Sequence, residues 1–233
     1  SDDGYFLVHR WWSPSWVVLG GTPDTYQMAG LRRGTTASLQ QSWGQRPVIG
    51  HSFGGLIAQI LAGRGGFIAT VAIAPAPFRG VLSFPLSALK AAAPVLRNPA
   101  NDRRAIQLTF EQFRYGFANA VDEDEAKELY AGFAVPGPAL PVFQVATANL
   151  DPWTEAKVAT KDPARGPLLI IDGEMDNTVP WSVANASYKK QRRNSCVTEI
   201  VKIPGRGHSL TIDRAWREVA LTALDFVARF AKR

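Results

Sequence analysis

Residues 46–63 read RPVIGHSFGGLIAQILAG, and this stretch decides the fold. Its beginning, Arg46 to Gly50, is a short, mostly apolar run typical of a buried strand, and Phe53 to Gly63 is an apolar helix that ends on glycine. Between them the pentapeptide GHSFG, with Ser52 at its centre, has the G-x-S-x-G form of a nucleophile elbow. A serine on such a turn projects its hydroxyl from the sheet edge, and the flanking glycines are expected because the strained backbone tolerates no side chains.

Two later segments supply an acid and a base in the chain order that suits such a serine. Leu168 to Gly173 is a continuous apolar run of strand length, and Asp176 lies in the loop after it. Val197 to Ile203, rich in β-branched residues, is a further strand that leads into a glycine-rich loop carrying His208. Ser52, Asp176 and His208 therefore each follow the carboxyl end of a predicted strand, where ligand sites lie in open α/β sheets. A serine hydroxyl needs an imidazole to take its proton and a carboxylate to fix the tautomer of that imidazole.

The acid and the base both have alternatives. Asp172 stands at the end of its strand beside a glycine, where a structural hydrogen bond to a loop is the better interpretation, and Glu174 is a more distant candidate. Of the three histidines, His51 lies inside the elbow and is interpreted as a packing residue or as a support for the catalytic side chains, while His9 ends an earlier strand. His208 remains as the base, although an ordinary surface histidine would fit the same context.

The motifs GHSFGG (residues 50–55), DGEMDNTVP (172–180) and GRGHSL (205–210) together resemble the α/β-hydrolase superfamily, specifically its cap-bearing serine hydrolases of esterase and lipase type. The resemblance covers the chain from about residue 47 to its C-terminus. It implies Ser52 as the nucleophile, Asp176 as the acid and His208 as the base. It also implies an oxyanion hole formed by the backbone N–H of Phe53 and by a second N–H from the loop after an earlier strand.

The first fifth of the chain departs from this pattern. In the family the second oxyanion loop usually begins His-Gly, whereas here it reads HRWW from His9, so that Trp11 is the matching donor. Only residues 10–15 separate the strands predicted at Tyr5–His9 and Trp16–Leu19. Because parallel neighbours need a crossover of about a dozen residues, either a crossover is missing from the chain as given or the two strands are not parallel neighbours. The family's two opening strands are not visible before Tyr5, which suggests a truncated N-terminal segment.

A long segment separates the strand predicted at Ile68–Ala74 from the strand that begins at Leu168. It far exceeds an ordinary loop, and its patterns predict four helices: Ser87–Leu96, Phe110–Ala120, Glu123–Phe133 and Val142–Leu150. A last amphipathic helix is predicted over Asp213–Lys232. The expected fold is thus an α/β-hydrolase core, a mostly parallel sheet with helices on both faces, over residues 1–77 and 161–233, with a helical cap inserted at residues 78–160.

Aromatic residues of the predicted cap are candidates for the wall of an apolar acyl pocket. For any one of them, packing between cap and core is the better interpretation. The candidates for substrate binding are Phe84, Phe113, Phe117, Phe143 and Trp153.

Composition fits a single globular enzyme. Hydrophobic residues make up 46% of the 233 and charged residues 20%, which argues against disorder. No apolar run approaches the ~20 residues of a transmembrane helix, and the net charge of +6 comes from scattered basic pairs without a nucleic-acid-binding motif. The single cysteine, Cys196, allows no intramolecular disulfide, and no spacing indicates a metal site. With no signal peptide visible, a cytoplasmic location is slightly favoured.

The sequence therefore predicts hydrolysis of a carboxylic ester with an apolar acyl group through an acyl-enzyme, with no cofactor. Haloalkane dehalogenases and epoxide hydrolases resemble this fold but use a carboxylate as the nucleophile. The serine at this position therefore argues against their chemistry. Two alternatives keep every residue named above. One is another serine-triad enzyme: a lactonase, a carbon–carbon bond hydrolase or a haloperoxidase-like protein. The other is a small-molecule receptor with slow turnover, which Arg10 in place of the family's glycine slightly favours. Acyl length, alcohol group and oligomeric state do not follow from the sequence.

Overall fold

The computed structural model describes the backbone of residues 5–8 and 17–20 and the whole of residues 46–231. The strands are β1 (Tyr5–Val8), β2 (Val17–Gly20), β3 (Val48–His51), β4 (Thr70–Ile73), β5 (Ala105–Ile106), β6 (Gly137–Pro138), β7 (Leu168–Gly173) and β8 (Thr198–Ile203). The helices are α1 (Phe53–Ala62), α2 (Leu86–Leu96), α3 (Phe110–Gly116), α4 (Glu123–Phe133), α5 (Leu140–Thr147), α6 (Trp181–Gln191) and α7 (Trp216–Ala228). None of these described helices is long and apolar enough to cross a membrane.

Six strands form one sheet in the order β1-β2-β3-β4-β7-β8. The pairs β3–β4, β4–β7 and β7–β8 are parallel, so the predicted mostly parallel sheet is confirmed. In contrast, β2 pairs antiparallel with both β1 and β3. An antiparallel pair needs no long crossover. Of the two explanations for the close spacing of the first strands, the second is therefore right: β1 and β2 are not parallel neighbours.

Helices cover both faces of the sheet, as predicted. Successive side chains of a strand point to opposite faces, and alternate residues of β4 and β7 accordingly belong to different clusters. One cluster joins α7 to the sheet through Val71, Ile73, Leu169, Ile171, Val219, Ala223 and Phe226. The other joins α6 to the sheet through Ala72, Leu168, Ile170, Ala184 and Tyr188. Burial of these apolar side chains on the two faces stabilises the parallel part of the sheet.

The segment between β4 and β7 forms four helices, α2 to α5, and carries a small core of its own. A capping box begins α3, because Thr109 Oγ1 accepts from the N–H of Gln112 while Gln112 Oε1 accepts from the N–H of Thr109. The small core consists of Phe113, Phe117, Ala118, Ala126 and Leu129, with partly buried neighbours that include Tyr130 and Ile212. Since Ile212 lies beyond β8, this core also reaches the part of the chain that carries His208.

Candidate active site

Ser52 lies on the turn between β3 and α1 with a strained backbone. Its φ of 56° and ψ of −118° fall in a region that residues with side chains rarely occupy. Its N–H donates to the carbonyl of Ile73 at 2.9 Å, and its carbonyl accepts from the N–H groups of Leu56 at 3.1 Å and Ala76 at 3.0 Å. Such strain persists only where the surroundings hold it, and here the bonds to β4, α1 and the chain after β4 do so.

The glycines beside Ser52 provide space. Neither Gly50 nor Gly55 has a positive φ, so the expectation that strain excludes side chains at the glycines needs correction: the strained residue is the serine itself. A Cβ at Gly50 would lie 2.1 Å from the carbonyl oxygen of Gly54, and one at Gly55 would lie 3.0 Å from the Cα of Pro75. The small residues thus let α1 begin directly against the ends of β3 and β4.

The structure brings the side chains of Ser52, His208 and Asp176 together. His208 Nε2 lies 3.0 Å from Ser52 Oγ, and His208 Nδ1 lies 2.6 Å from Asp176 Oδ2. All three residues are buried. Both distances are within the range that proton transfer between hydrogen-bonded groups requires. The arrangement can move a proton from the serine to the imidazole and hold the resulting imidazolium beside a carboxylate.

The turn after β7 fixes the orientation of the Asp176 carboxylate. Oδ1 accepts from the backbone N–H groups of Thr178 at 2.7 Å and Val179 at 2.8 Å, which leaves Oδ2 to face His208. Sequence analysis missed these two donors. The aspartate followed by Asn177 and Thr178 is the kind of signal that could have found them, because aspartate side chains often bond the backbone two residues on.

Ion pairs of Arg206 hold the loop that carries His208. Arg206 forms an ion pair with Asp213, and it also contacts Glu218 of α7 at 3.3 Å. Asp213 in turn accepts from Ser209 Oγ at 3.3 Å. Arg206 and Asp213 are both largely removed from solvent, so these bonds close the loop on both sides of the histidine.

Two aromatic rings contact the His208 imidazole. The His51 ring lies 4.7 Å away, centroid to centroid, at a tilt of 42°, and the Phe117 ring meets it edge to face at 4.9 Å. The buried position of His51 agrees with the packing role predicted for it. Phe117, predicted as a pocket residue, connects the helical segment directly to the imidazole.

Asp172, the alternative acid, is fully buried at the end of β7. Among the residues that the structure describes, neither of its carboxylate oxygens has a hydrogen-bond partner, so the loop hydrogen bond expected from the sequence is not found there. Burial raises the pKa of this carboxyl well above its usual range, and the nearby Asp176 raises it further. The carboxylate placed against His208 is that of Asp176.

The raised pKa of Asp172 predicts that stability declines as pH rises. The folded chain keeps the Asp172 proton to a higher pH than the unfolded chain does, so the free energy of unfolding falls once pH exceeds the unfolded pKa. Asp172→Asn removes the titrating group, and we expect the melting temperature of this variant, relative to that of the wild type, to rise over the range above about pH 4. Thermal melts across this range check the prediction, with the exposed Asp225→Asn on α7 as the control. Parallel curves for wild type and Asp172→Asn would contradict it.

The N-terminus of α1 presents backbone donors beside Ser52. Phe53 is the first residue of this helix, and the first N–H groups of a helix have no partner within it. The N–H of Phe53 therefore has no partner within α1, and its predicted role as an oxyanion donor stays a prediction. Trp11, the second predicted donor, lies outside the described residues.

The other predicted pocket residues are dispersed. Phe113 is only 2% exposed and stacks on Phe117 at 5.3 Å inside the small core of the helical segment. Phe84 is more than half exposed, and Trp153 is 86% exposed. Phe143 is half-buried on α5. Phe117 is the member of this set that the structure places against a triad side chain, and the substrate-binding role of all five stays a prediction.

The described residues contain no group of three or more histidine, cysteine, aspartate or glutamate side chains arranged to hold a metal ion. Cys196 is half-buried, and its thiol lies 3.4 Å from the carbonyl of Pro163.

Comparisons with known proteins place the fold. A sequence model described as the alpha/beta hydrolase family matches residues 5–222. No curated protein matches the chain. Among solved structures, an extracellular alpha/beta-hydrolase from a Paenibacillus species, described as sharing structural and functional homology with tobacco salicylic acid binding protein 2, is 18% identical. It has a TM-score of 0.57, with 82% of this chain and 76% of that chain covered.

Two further solved structures have the same sequence identity to this chain. The monoacylglycerol lipase of Paleococcus ferrophilus is 18% identical with a TM-score of 0.50, and the match covers 83% of this chain and 71% of that chain. A bromoperoxidase from Bacillus anthracis is also 18% identical with a TM-score of 0.50, and the match covers 78% and 67%. At such identities the likeness is one of fold, and fold alone does not assign a reaction.

Proposed function

Because the chain belongs to the alpha/beta hydrolase family, we propose that it is a serine hydrolase that cleaves a carboxylic ester with Ser52, His208 and Asp176. The observation that supports the proposal is the continuous hydrogen-bonded series from Ser52 Oγ through both nitrogens of His208 to Asp176 Oδ2, at 3.0 and 2.6 Å. It starts at a serine on a strained turn and ends at an oriented carboxylate, which is the arrangement that acyl transfer uses.

In the first half-reaction the neutral imidazole accepts the serine proton. Asp176 Oδ2 accepts a hydrogen bond from Nδ1–H of His208, which leaves the lone pair of Nε2 directed at Ser52 Oγ. As Oγ forms a bond to the ester carbonyl carbon, its proton passes to Nε2, and the carbonyl oxygen takes up the electron pair. Collapse of this tetrahedral anion breaks the bond to the alcohol oxygen, which takes the proton from Nε2. The acyl group remains on Ser52.

Water completes the cycle by the same route. His208 Nε2 takes a proton from a water molecule as that water attacks the acyl carbon, and it returns the proton to Ser52 Oγ when the acid leaves. In both half-reactions the carboxylate of Asp176 stabilises the imidazolium without accepting its proton. The N–H of Phe53, at the start of α1, is proposed to donate to the tetrahedral anion.

We extend the proposal to residues 78–160 as a helical cap on a core of residues 1–77 and 161–233. The contact of Phe117 with the His208 ring supports it, because it brings the end of α3 to the triad. A cap with aromatic side chains suits an ester with an apolar acyl group. We propose Phe117 and Phe143 as pocket residues ahead of Phe113, which is buried in the small core.

Substitutions on the cap are expected to separate specificity from stability. Phe143→Ala, at a half-buried ring on α5, should change the ratio of kcat/KM between short and long acyl chains by roughly tenfold or more, since an apolar pocket discriminates by about 1–3 kcal/mol per methylene. Phe113→Ala should instead lower the free energy of unfolding by about 3–5 kcal/mol. A p-nitrophenyl ester series and denaturant titrations measure the two effects. An unchanged chain-length profile in Phe143→Ala would place that ring in cap–core packing.

Fluorophosphonate labelling tests the proposed function. We expect the probe to modify the wild type at Ser52, identified by mass spectrometry of the labelled peptide, and to leave Ser52→Ala unmodified. Steady turnover of p-nitrophenyl esters then separates a hydrolase from a receptor, and a panel of esters, lactones and diketones separates the kinds of triad enzyme. Absence of labelling at Ser52 would overturn the proposal, and labelling without turnover would favour the receptor.

A further inference from the structure

The C-terminal end of α3 lies between the two loops that carry the acid and the base. We call residues 115–119 the clamp segment, residues 174–179 the acid loop and residues 204–213 the histidine loop. The last carbonyl groups of a helix have no partner within the helix. At the end of α3 the carbonyls of three successive residues, 115 to 117, accept hydrogen bonds from these two loops.

The clamp segment makes three hydrogen bonds to the acid loop. Asn177 Nδ2 donates to the carbonyl of Tyr115 at 3.0 Å, and Thr178 Oγ1 donates to the carbonyl of Gly116 at 2.7 Å. In the reverse direction, Asn119 Nδ2 donates to the carbonyl of Met175 at 2.7 Å. The backbone N–H of Thr178 also holds Asp176 Oδ1. One residue therefore joins the clamp segment to the triad carboxylate.

The clamp segment also contacts the histidine loop on both sides of His208. The N–H of Ser209 donates to the carbonyl of Phe117 at 2.9 Å, and the Phe117 ring meets the imidazole edge to face. Before the histidine, a Cβ at Gly207 would lie 2.7 Å from Asn119 Oδ1, so the backbone approaches the clamp segment closely. These contacts leave little freedom for the histidine relative to α3.

The two loops bond directly to each other only near the sheet, as far as the described residues show. The N–H of Gly205 donates to Glu174 Oε2 at 3.0 Å, and the N–H of Met175 donates to the carbonyl of Arg206 at 2.8 Å. Both bonds precede Asp176 and His208 in their loops. Beyond them, apart from the pairing of the two triad side chains, the described hydrogen bonds that link the two loops run through the clamp segment.

We propose that the clamp segment is a positioning element that sets the geometry between His208 and Asp176, so that the helical insert assembles the acid–base pair as well as covering it. This inference rests on the proposed function of the same site. Thr178 is the positioning residue through which it can be tested, because its hydroxyl holds Gly116 while its N–H holds Asp176. Removing the hydroxyl breaks one of the three hydrogen bonds between the clamp segment and the acid loop, the one made by the residue whose N–H holds Asp176, without changing any triad residue.

Kinetics of a matched pair of variants test the proposal. Thr178→Val keeps the shape of the side chain and loses the donor, whereas Thr178→Ser keeps the donor. We expect the valine variant to lower kcat by about tenfold or more with KM within about twofold, since small misplacements of reacting groups are costly, and the serine variant to recover most of that loss. Tyr130→Phe is the control, because it removes a hydrogen bond to the carbonyl of Leu108 inside the helical insert, and the Tyr130 hydroxyl makes no described hydrogen bond to either loop.

A second readout needs no substrate. The chain has three histidines, so the ring ¹⁵N shifts of a histidine-labelled sample, assigned with His208→Gln, report the tautomer of His208. We expect the wild type, Thr178→Ser and Tyr130→Phe to carry the proton on Nδ1, and Thr178→Val to show a mixture of tautomers. If the chain hydrolyses no ester, the proposed function fails while these shifts still decide the clamp. Unchanged His208 shifts in a folded Thr178→Val would overturn the inference. Should that variant fail to fold, Asn119→Ala is expected to show the same mixture of tautomers, and unchanged shifts in it would overturn the inference equally.

Discussion

Ser52→Ala, His208→Ala and Asp176→Asn are each expected to lower kcat for ester hydrolysis by about 10⁴- to 10⁶-fold, because residues of a triad act as a unit. The reason lies in the hydrogen-bonded series: each change removes the nucleophile, the proton acceptor or the group that orients the acceptor. Steady-state kinetics with a p-nitrophenyl ester measure the loss. Thermal melts of the same samples should show that all three variants are folded.

Asp172→Asn is the matched control for the acid. It makes the same chemical change four residues earlier, at a carboxyl that is equally buried but has no described hydrogen bond to His208. We expect its kcat to stay within a few-fold of the wild type. An inactive Asp172→Asn together with a nearly wild-type Asp176→Asn would show that the acid has been assigned to the wrong residue.

Gly50→Ala should have a large effect on stability. The added Cβ would lie 2.1 Å from the carbonyl oxygen of Gly54. This oxygen belongs to the backbone, and Gly50 and Gly54 lie on either side of Ser52. Relief requires α1 to move away from β3, so we expect a loss of about 3 kcal/mol or more in the free energy of unfolding, or roughly 6–12 °C in melting temperature. Fluorophosphonate labelling should fall as well, because the serine moves with the turn.

Gly132→Ala is the control, because it makes the same glycine-to-alanine change at a position with free space. No heavy atom lies within 4 Å of a Cβ at Gly132, which is exposed near the end of α4. Alanine there should stabilise the chain by about 0.5–1 kcal/mol through helix propensity. A Gly50→Ala variant that melts and labels like the wild type would mean that the turn has more room than the structure shows.

Strands and helices with strong local signals were predictable from the sequence. The apolar run Leu168–Gly173 is β7 to the residue, and the helix predicted over Glu123–Phe133 is α4 with the same bounds. Burial on both faces of a parallel strand demands such a continuous apolar run. Helix ends that depend on partners were less predictable. The predicted helix Phe110–Ala120 stops at Gly116, where its carbonyls bond to the two catalytic loops instead of to the next helical turn.

Two other differences have local causes. The pattern predicts a helix that begins at Val142, after Pro141, yet α5 begins at Leu140 and holds the proline in its first turn, where the missing N–H removes no helical bond. The short spacing between β1 and β2 left two explanations open: a missing crossover, or strands that are not parallel neighbours. Pairing partners distant in sequence, here β2 with β3, decided that choice.

The sequence predicted which residues form the candidate site better than it predicted how their side chains are arranged. Chain order and strand ends pointed to Ser52, Asp176 and His208, and the structure brings those side chains together; their catalytic roles stay predictions. The contact of Phe117 with His208 has no signal in the periodicity of α3, because it depends on how two segments far apart in sequence pack. The lack of a described partner for Asp172 is equally a property of the folded neighbourhood.

The distance along the chain between the serine and its base has a consequence for biosynthesis. Ser52 and His208 are 156 positions apart, and a ribosome that adds about 5–20 residues per second completes that stretch in roughly 8–30 s. The strained turn can thus leave the ribosome well before the imidazole exists. During that interval His208 is not there to accept a proton from Ser52, so we expect the proposed site to stay inactive until His208 has been synthesised.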